Sequence, residues 1–376
     1  MSGDRPQTSI IVPALNEAAN LRPLVERIAA AMSGLGAYEI LIVDDNSQDE
    51  TPAVCAAMAE RFPVRLIVRR QPVNGLGGAV LHGFGEAVGD VLVVMDADLQ
   101  HPPEKLPELI APLRALEAEF VLGSRHVAGG STGERWGLFR RLNSWLATVL
   151  ARPFCGPVRD PMSGFFALRR ETLLRAERLQ PLGYKIGLEL MCKCRVGGRV
   201  REVPIHFAER AAGASKLSLR EQFRYLEHLS RLYDYCFPRL SPIAKFLVVL
   251  LLGWAVGLGA YALTLQQGVR TAVSPIVAYG AFIAVTAIFH RRYVAAQREF
   301  LLTPRPWGEF LLVCLAEWLA CALAAIWLAK RVPGHTPVEM FALPFAVGTI
   351  TRYVLRKELM HDIRGLRREM RREELS

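Results

Sequence analysis

The most informative stretch of the chain reads Val91-Leu92-Val93-Val94-Met95-Asp96-Ala97-Asp98-Leu99-Gln100-His101-Pro102-Pro103-Glu104. It opens as an unbroken apolar run, which predicts a strand that is buried on both faces. The run stops at two aspartates one residue apart, and the two prolines then predict that a helix begins near Glu104. Because open α/β sheets bind ligands at the carboxyl ends of central strands, Asp96 and Asp98 stand where a ligand is expected.

Two carboxylates in this position suit a hard divalent cation. Mg²⁺ is typically held by one or two carboxylates together with phosphate oxygens and water. The stretch therefore predicts a metal–diphosphate site. The alternative is that both aspartates only cap the helix that follows, where aspartate is common. The buried strand and the Pro-Pro stop favour the metal site.

The rest of the N-terminal half alternates predicted strands and helices. This alternation predicts an α/β fold, with a parallel sheet and helices on both of its faces. The last strand of this half is predicted at 203–207. The earlier strands are predicted at 8–13, 39–43, 64–68, 91–95 and 119–122.

Three of these strands end in polar loops at one predicted edge of the sheet: 13–17, 44–47 and 96–100. Together they predict a nucleotide pocket, in which Asp44 accepts hydrogen bonds from a base or ribose and Glu17 lies near the base. The glycine-rich segment 74–78 opens a helix, where anions bind. It lacks the spacing of a P-loop or of G-x-G-x-x-G, so a plain helix start explains it equally well.

Two basic amphipathic helices are predicted at 136–150 and 217–235. The first carries Trp136 and Trp145 among arginines, which is typical of a helix that lies in a membrane interface. Packing of this helix on the domain core is an equally good interpretation of the pattern alone. The seven cysteines are an odd number without metal-type spacing, so free thiols in a reducing compartment are expected.

Apolar residues concentrate after residue 245, which brings the hydrophobic fraction of the 376-residue chain to 51% and its mean hydropathy to +0.21. Four apolar stretches approach the length that spans a bilayer. The last is the weakest of the four because it contains Pro344 and Arg352. The four lie at 246–265, 271–289, 309–329 and 338–355.

The distribution of basic residues sets an orientation for these spans. Connection 290–305 and the tail after Val354 are rich in arginine, whereas the other two connections hold few basic residues. The positive-inside rule therefore places the N-terminal domain, that connection and the tail in the cytoplasm. We expect a cytoplasmic domain at 1–238 with interfacial helices, and an all-α transmembrane domain of two helical hairpins at 239–376.

The formal net charge of +10 predicts an anionic partner. The chain has no nucleic-acid-binding signature, and the apolar stretches favour the membrane lipid over nucleic acid. The expected location is therefore a multi-pass membrane protein with its catalytic domain on the cytoplasmic face. The sequence leaves the oligomeric state open.

Five motifs, in this order along the chain, resemble glycosyltransferase family 2: 12–17, 44–47, 74–77, 95–104 and 123–125. The combined set is similar to the dolichol-phosphate (polyprenyl-phosphate) mannose synthases of that family, over about residues 7–235. The membrane half resembles, more weakly, the four-span domain that is fused to some prokaryotic members.

The resemblance implies a GT-A (Rossmann-like) fold, GDP-mannose as donor, Mg²⁺ or Mn²⁺ as cofactor, and a polyprenyl phosphate as acceptor. Where many relatives have tyrosine this chain has Leu15, which offers no aromatic ring for stacking on the base. The implied nucleotide-binding residues are Pro13, Leu15, Glu17, Asp44, Asp96, Ala97 and Lys216. The implied metal ligands are Asp96, Asp98 and Gln100, and the implied acceptor-phosphate cradle is Arg125, Arg140 and Ser144.

The expected chemistry is inverting transfer by one in-line attack. Negative charge builds up on the leaving diphosphate, where the metal ion with Arg210 and Lys216 would stabilise it. The acceptor phosphate has a second pKa of about 6 and is largely dianionic at neutral pH, so it needs positioning rather than a general base. The residues expected to carry catalysis are Asp98, Arg125 and Arg210.

Three alternatives remain. UDP-glucose transfer to undecaprenyl phosphate keeps the class and changes the sugar, and the pocket residues do not separate it from mannose transfer. A processive polysaccharide synthase would carry a Gln-x-x-Arg-Trp motif, which residues 222–225 do not match. A membrane scaffold or flippase-like module with a degenerate transferase domain is disfavoured by the intact Asp96, Asp98 and Arg125.

Overall fold

The computed structural model describes residues 5–132, 138–180, 185–208, 219–270, 272–289, 306–332, 334, 336–352 and 354–355. The chain divides into two compact units, Met1–Cys236 and Phe237–Ser376.

In the described part of the first unit, the strands are β1 Thr8–Ala14, β2 Tyr38–Asp44, β3 Val64–Val68, β4 Val91–Val94, β5 Phe120–Ser124, β6 Ser131–Thr132, β7 Phe166–Arg169, β8 Val200–Pro204 and β9 His206–Phe207. The helices are α1 Ala18–Met32, α2 Thr51–Ala59, α3 Gly75–Glu86, α4 Leu106–Arg114, α5 Leu138–Cys155, α6 Arg170–Leu173, α7 Ile186–Lys193 and α8 Leu219–Cys236.

Seven of these strands form one mixed sheet in the order β3-β2-β1-β4-β7-β5-β8, and β6 pairs with β9 in a second small sheet. Strand β1 is parallel to both β2 and β4, β2 is parallel to β3, and β5 is parallel to β8. The core lies between this sheet and helices α1 and α4, and all four residues of β4 are buried. The α/β class and the buried strand before Asp96 are confirmed.

The prediction of a wholly parallel sheet is wrong at β7, which runs antiparallel between β4 and β5. The reason lies in the turn before it. Asp160 accepts a hydrogen bond from the backbone N–H of Arg125, directly after β5, at 3.0 Å. The turn is thereby held at the carboxyl ends of the neighbouring strands, so β7 begins where β4 and β5 end and must run back along them.

The described part of the second unit is helical: α9 Ser241–Gln266, α10 Ser274–Phe289, α11 Pro306–Arg331 and a helix at 337–352, here α12. By length and composition, Ile243–Gln266 and Leu312–Arg331 are candidate membrane spans, whereas the apolar helix Ser274–Ile288 is shorter. Of the four predicted spans, two candidates are therefore found within the described residues, and the four-span arrangement is not confirmed.

An aromatic cluster holds the second unit together. Tyr279, Phe282 and Phe345 are each 0% exposed, and the ring centroids of Tyr279 and Phe345 lie 4.9 Å apart. Arg352, which weakens the fourth predicted span, is buried on α12 and forms an ion pair with the buried carboxylate of Glu317 on α11. The cation in this apolar stretch is therefore paired inside the unit.

Candidate active site

The loops that follow β1 and β2 are joined by hydrogen bonds at the carboxyl edge of the sheet. Ala14 and Asp44 are register partners at the ends of the two strands. The backbone N–H of Asn16 donates to Ser47 Oγ at 2.8 Å, and that of Glu17 donates to Thr51 Oγ1 at 3.2 Å. The first two predicted pocket loops are therefore one connected surface.

Asp49 joins the loops of this surface through backbone hydrogen bonds. It is exposed, yet it accepts hydrogen bonds from the backbone N–H of Ala18 at 3.1 Å and of Thr51 at 3.0 Å. Burial acts to raise the pKa of Asp49, but the hydrogen bonds from Thr51 and Ala18 hold it below the usual value. The charged carboxylate thus fastens the starts of α1 and α2.

Asp44 ends β2 with 0% of its surface exposed. Its Oδ2 accepts a hydrogen bond from the Ser47 backbone N–H at 3.0 Å, and its Oδ1 accepts one from the Ser47 hydroxyl. The carboxylate therefore shapes the turn after β2, and its contact with a base or ribose stays a prediction. Glu17 accepts from Asn20 Nδ2 at 2.7 Å, so it too has a local partner.

The sequence analysis missed Arg69, which follows β3. Its guanidinium donates to Asp45 at 2.7 Å and to the carbonyl of Val73 at 2.6 Å. A Cβ added at Gly78 would lie 2.1 Å from that same carbonyl oxygen, so only glycine fits there. Arg69 therefore ties the β2 loop to the start of α3, and close packing accounts for Gly78 in the glycine-rich segment.

Asp96 and Asp98 follow β4 with different exposures. Asp98 is 7% exposed and its Oδ1 accepts a hydrogen bond from the Gln100 backbone N–H at 3.2 Å. The side chain of Asp96 is 32% exposed. The side-chain amide of Gln100 donates to the Ala208 carbonyl at 3.0 Å, which orients this amide.

This set of oxygen donors fits a hard divalent cation. Among the described residues, no group of three or more His, Cys, Asp or Glu side chains stands ready to hold a metal ion. Asp96, Asp98 and Gln100 supply two carboxylates and one amide. Mg²⁺ typically completes such a partial set of ligands with phosphate oxygens and water.

His101 supports the backbone of this loop. Its Nδ1 accepts a hydrogen bond from the Asp96 backbone N–H at 3.1 Å, which requires the neutral ring, and the ring stacks on Phe165 at 5.3 Å. Burial lowers the pKa of His101 to about 4, against an opposing effect of the Asp98 charge. A Cβ added at Gly164 would lie 3.2 Å from Asp96 Oδ2, so this glycine leaves room for the carboxylate.

Arg125 is held by a buried carboxylate that the sequence analysis did not anticipate. Its Nε and one Nη each donate to Asp160 at 2.7 Å, and its guanidinium lies over the Phe207 ring at 5.2 Å. Burial acts to raise the pKa of Asp160, but the hydrogen bonds and charge of Arg125 hold it below the usual value. The backbone N–H of Asp160 in turn donates to Glu202 at 3.0 Å.

Lys185, immediately before α7, is a second cation that the sequence analysis missed. Its Nζ donates to the Met162 carbonyl at 2.9 Å. Burial lowers the pKa of Lys185 to about 7, and the Arg125 charge adds to this effect, whereas Asp160 and Asp96 oppose it. These charges therefore lie within electrostatic reach of one another. The available signal in the sequence was a lysine directly before the mostly apolar segment Ile186–Lys193.

The remaining predicted site residues are described unevenly. Pro13 is buried in β1, Ala97 is 3% exposed, and Leu15 is 43% exposed at the edge of the loop. Arg140 and Ser144 lie on α5, but their side chains are outside the described part of the structure. Arg210 and Lys216 lie outside the described residues altogether.

The structure confirms that helix α5 packs on its own domain, and its position in a membrane interface stays a prediction. Tyr225 and Tyr233 of α8 donate their hydroxyls to the carbonyls of Ala147 at 2.9 Å and Leu150 at 3.1 Å, so α5 packs on its own domain. Trp145 is nevertheless 61% exposed on the same helix. A helix that is anchored on one side and presents tryptophan on another retains a surface suited to a membrane interface.

Comparison with known proteins gives one family. The model of glycosyl transferase family 2 matches residues 9–176. The dolichol-phosphate mannosyltransferase of Pyrococcus furiosus is 41% identical over 275 residues, which are 72% of this chain and 76% of that protein. The enzyme of the same name from Saccharomyces cerevisiae is 40% identical over 66% of this chain and 93% of its own length.

A bacterial relative and a solved structure are also similar. The undecaprenyl-phosphate mannosyltransferase of Micrococcus luteus is 35% identical over 55% of this chain and 86% of that protein. Glucosyl-3-phosphoglycerate synthase of Mycobacterium tuberculosis, solved with Mn²⁺, UDP and glucosyl-3-phosphoglycerate, is 26% identical over 62% of this chain and 80% of its own, with a TM-score of 0.47.

Proposed function

This chain belongs to glycosyl transferase family 2, and we propose that it transfers mannose from GDP-mannose to a polyprenyl (dolichyl) phosphate. The proposed transfer inverts the anomeric carbon and takes place on the cytoplasmic face of a membrane. The observation that carries the proposal is the cluster of Asp96, Asp98, Arg125 and Lys185 at the carboxyl edge of the sheet. It combines carboxylates for a cation with cations for phosphate, as transfer from a nucleoside diphosphate to a phosphate requires.

On the donor side, Asp96, Asp98 and Gln100 would hold Mg²⁺ or Mn²⁺, which supplies positive charge to the leaving diphosphate. His101 keeps this loop in place through the Asp96 backbone, and Gly164 keeps space beside the Asp96 carboxylate. Pro13, Leu15, Glu17, Asp44 and Ala97, with Lys216, are proposed to line the nucleotide.

Lys185 is a natural partner for the anionic donor. Burial lowers the pKa of its ammonium to about 7, and the negative charge of an incoming diphosphate would favour the charged form. We assign it to the donor phosphates together with Arg210. This division leaves Arg125 for the acceptor.

On the acceptor side, Arg125 with Arg140 and Ser144 would bind the lipid phosphate. The two hydrogen bonds to Asp160 fix the plane of the Arg125 guanidinium before any ligand arrives. A guanidinium that is already oriented loses little conformational freedom on binding a phosphate. Since the acceptor phosphate is its own nucleophile, the site needs orientation and exclusion of water rather than a catalytic base.

The exposed Trp145 on α5 and the two candidate spans support a membrane location for this reaction. We propose that residues 1–238 carry the complete donor site and that residues 239–376 form the membrane domain. A fragment of residues 1–238 should then still bind GDP. A folded fragment that fails to bind GDP would contradict this division.

The test is transfer by the purified full chain in detergent. Radiolabelled GDP-mannose and UDP-glucose are offered separately with a polyprenyl phosphate, and the product is followed into the lipid phase. We expect a mannolipid from GDP-mannose that Asp98→Asn abolishes. The control is Asp90→Asn, the same change at a side chain that is 78% exposed and pairs with Arg5. Transfer from UDP-glucose instead would reject the donor, and full activity of Asp98→Asn would reject the site.

A further inference from the structure

Two cysteine thiols are in contact at the far ends of α7 and α8. Cys192 lies on α7 and Cys236 is the last residue of α8, 44 residues further along the chain. Their Sγ atoms are 2.7 Å apart, and either thiol can donate the hydrogen bond that joins them. Both cysteines are unbonded thiols in this structure.

The surroundings give the two thiols different reactivities. Cys192 is 7% exposed, whereas Cys236 is partly exposed, so a reagent in solution reaches Cys236 first. Lys193 follows Cys192 in the chain and Tyr235 precedes Cys236. The ammonium of Lys193 lies 5.4 Å from the centre of the Tyr235 ring. The hydrogen bond from Cys192 has the largest effect on the pKa of Cys236 and, together with the charge of Lys193, holds it below its usual value against the opposing effect of burial. The same hydrogen bond, with burial, raises the pKa of Cys192.

This arrangement is that of an attacking thiol and a resolving thiol. The thiolate is the reactive form, and attack is fastest from an accessible cysteine near a positive charge. A second thiol already in contact lies within reach of the first adduct and can displace it. We propose that Cys192 and Cys236 are the site of a reversible disulfide that forms by exchange with a small-molecule disulfide such as glutathione disulfide.

The exchange balances in two steps. The Cys236 thiolate attacks one sulfur of the external disulfide, which forms a mixed disulfide and releases one thiolate. Cys192 then loses its proton and attacks Cys236 Sγ, which forms the protein disulfide and releases the second thiolate. The two cysteine protons convert the leaving groups into thiols, so the external disulfide takes up the two electrons that the protein gives up.

The bond would fasten the end of α7 to the end of α8. Helix α7 begins directly after Lys185, and α8 is the helix whose tyrosines hold α5. The two helices already meet at Glu189 and His228, whose Oε2 and Nε2 atoms are 3.4 Å apart in a buried contact. In a reducing compartment such a disulfide is a reversible modification and not a permanent structural cross-link. The inference does not depend on the proposed function.

The test exposes the full chain in detergent to glutathione disulfide and then blocks the remaining free thiols with N-ethylmaleimide. The protein is digested with trypsin in the absence of reductant. Cleavage after Lys193 separates Cys192 from Cys194, so mass spectrometry assigns the linkage. We expect one linked pair, Cys192 with Cys236, lighter than the two free peptides by two hydrogen atoms and separated again by dithiothreitol.

Two variants distinguish the roles of the thiols. Cys192→Ser should leave Cys236 as its glutathione adduct, because no resolving thiol is present. Cys194→Ser, the matched change at a residue that is 0% exposed, should form the linked pair as the wild type does. Wild-type protein in which both cysteines stay reduced, or in which Cys236 accumulates the same adduct as in Cys192→Ser, would overturn the proposal.

Discussion

Replacing Asp160 by asparagine tests how the Arg125 guanidinium is held. The Asp160 side chain is 1% exposed and that of Arg125 is 13% exposed, so the pair is shielded from water. Asparagine keeps one oxygen that can accept from the backbone N–H and Nε of Arg125, but its NH2 group replaces the oxygen that accepts from the Arg125 Nη. The change therefore removes the negative charge and one acceptor, with almost no change of shape. It breaks the buried ion pair between Asp160 and the guanidinium, which costs about 3–5 kcal/mol in the free energy of unfolding.

This cost converts into a shift of the unfolding midpoint. The unfolding entropy is about 2.1 cal/mol/K per residue, which over the 236 residues of Met1–Cys236 gives about 0.5 kcal/mol/K. A loss of 3–5 kcal/mol therefore lowers Tm by about 6–10 °C. Brief proteolysis after heating the full chain in detergent reports this Tm, because it cleaves the N-terminal unit only once that unit has unfolded.

The double variant Arg125→Gln/Asp160→Asn decides the cause. It removes both charges, so it should recover at least half of the lost Tm, because replacing both partners of a buried pair costs far less than removing one. Asp90→Asn on the exposed surface should shift the free energy of unfolding by less than about 0.5 kcal/mol. A double variant with a Tm below that of Asp160→Asn alone would refute the argument from the broken ion pair.

Three further results are expected. Lys185→Met should raise KM for the nucleotide sugar about tenfold or more, because it removes one charge-assisted hydrogen bond to the donor. The control variant Lys105→Met should change this KM little, and equal effects of the two variants would show that Lys185 does not bind the donor. Because the pKa of Asp160 is lower in the folded state, this carboxylate adds stability above its unfolded pKa, and the stability is lost as pH falls through the folded pKa. Tm should therefore fall more steeply below about pH 4 in the wild type than in Asp160→Asn. Parallel pH profiles of Tm would contradict this expectation. Arg140→Ala should raise KM for the lipid phosphate and leave donor binding unchanged, whereas small, equal effects of Arg140→Ala and Arg141→Ala, reversed by anionic lipid, would leave α5 as a membrane anchor.

Local patterns account for much of what was predicted correctly. The apolar run 91–95, the two aspartates and the two prolines are contiguous, so they mark a buried strand, its end and the following helix without knowledge of any other segment. Likewise, the alternation of strand and helix patterns is sufficient for the α/β class. Asp96 and Asp98 could be placed at the carboxyl edge because the order of a strand and its loop in the chain is their order in space.

Strand direction depended on a contact that no local pattern contains. The segment 166–169 is short and consists of three apolar residues and Arg169, a pattern that fits a strand of either direction. Its antiparallel course follows from the contact between Asp160 and Arg125, which are 35 residues apart. The same separation hid the partner of Arg125, so the resemblance could name this arginine but not the carboxylate that orients it.

The order of apolar and polar residues along the chain established an α/β domain followed by apolar helices. Burial of apolar side chains follows periodicities that can be recognised within a single segment. The state of its buried charges was decided by the tertiary structure. Lys185 stands before an apolar helix and Arg352 interrupts an apolar stretch, and in the sequence each is a solitary cation. Folding brings Lys185 near Asp96 and Asp160, and it brings Arg352 to Glu317. The free energy of a buried charge depends on the partners that surround it, and remote segments supply those partners.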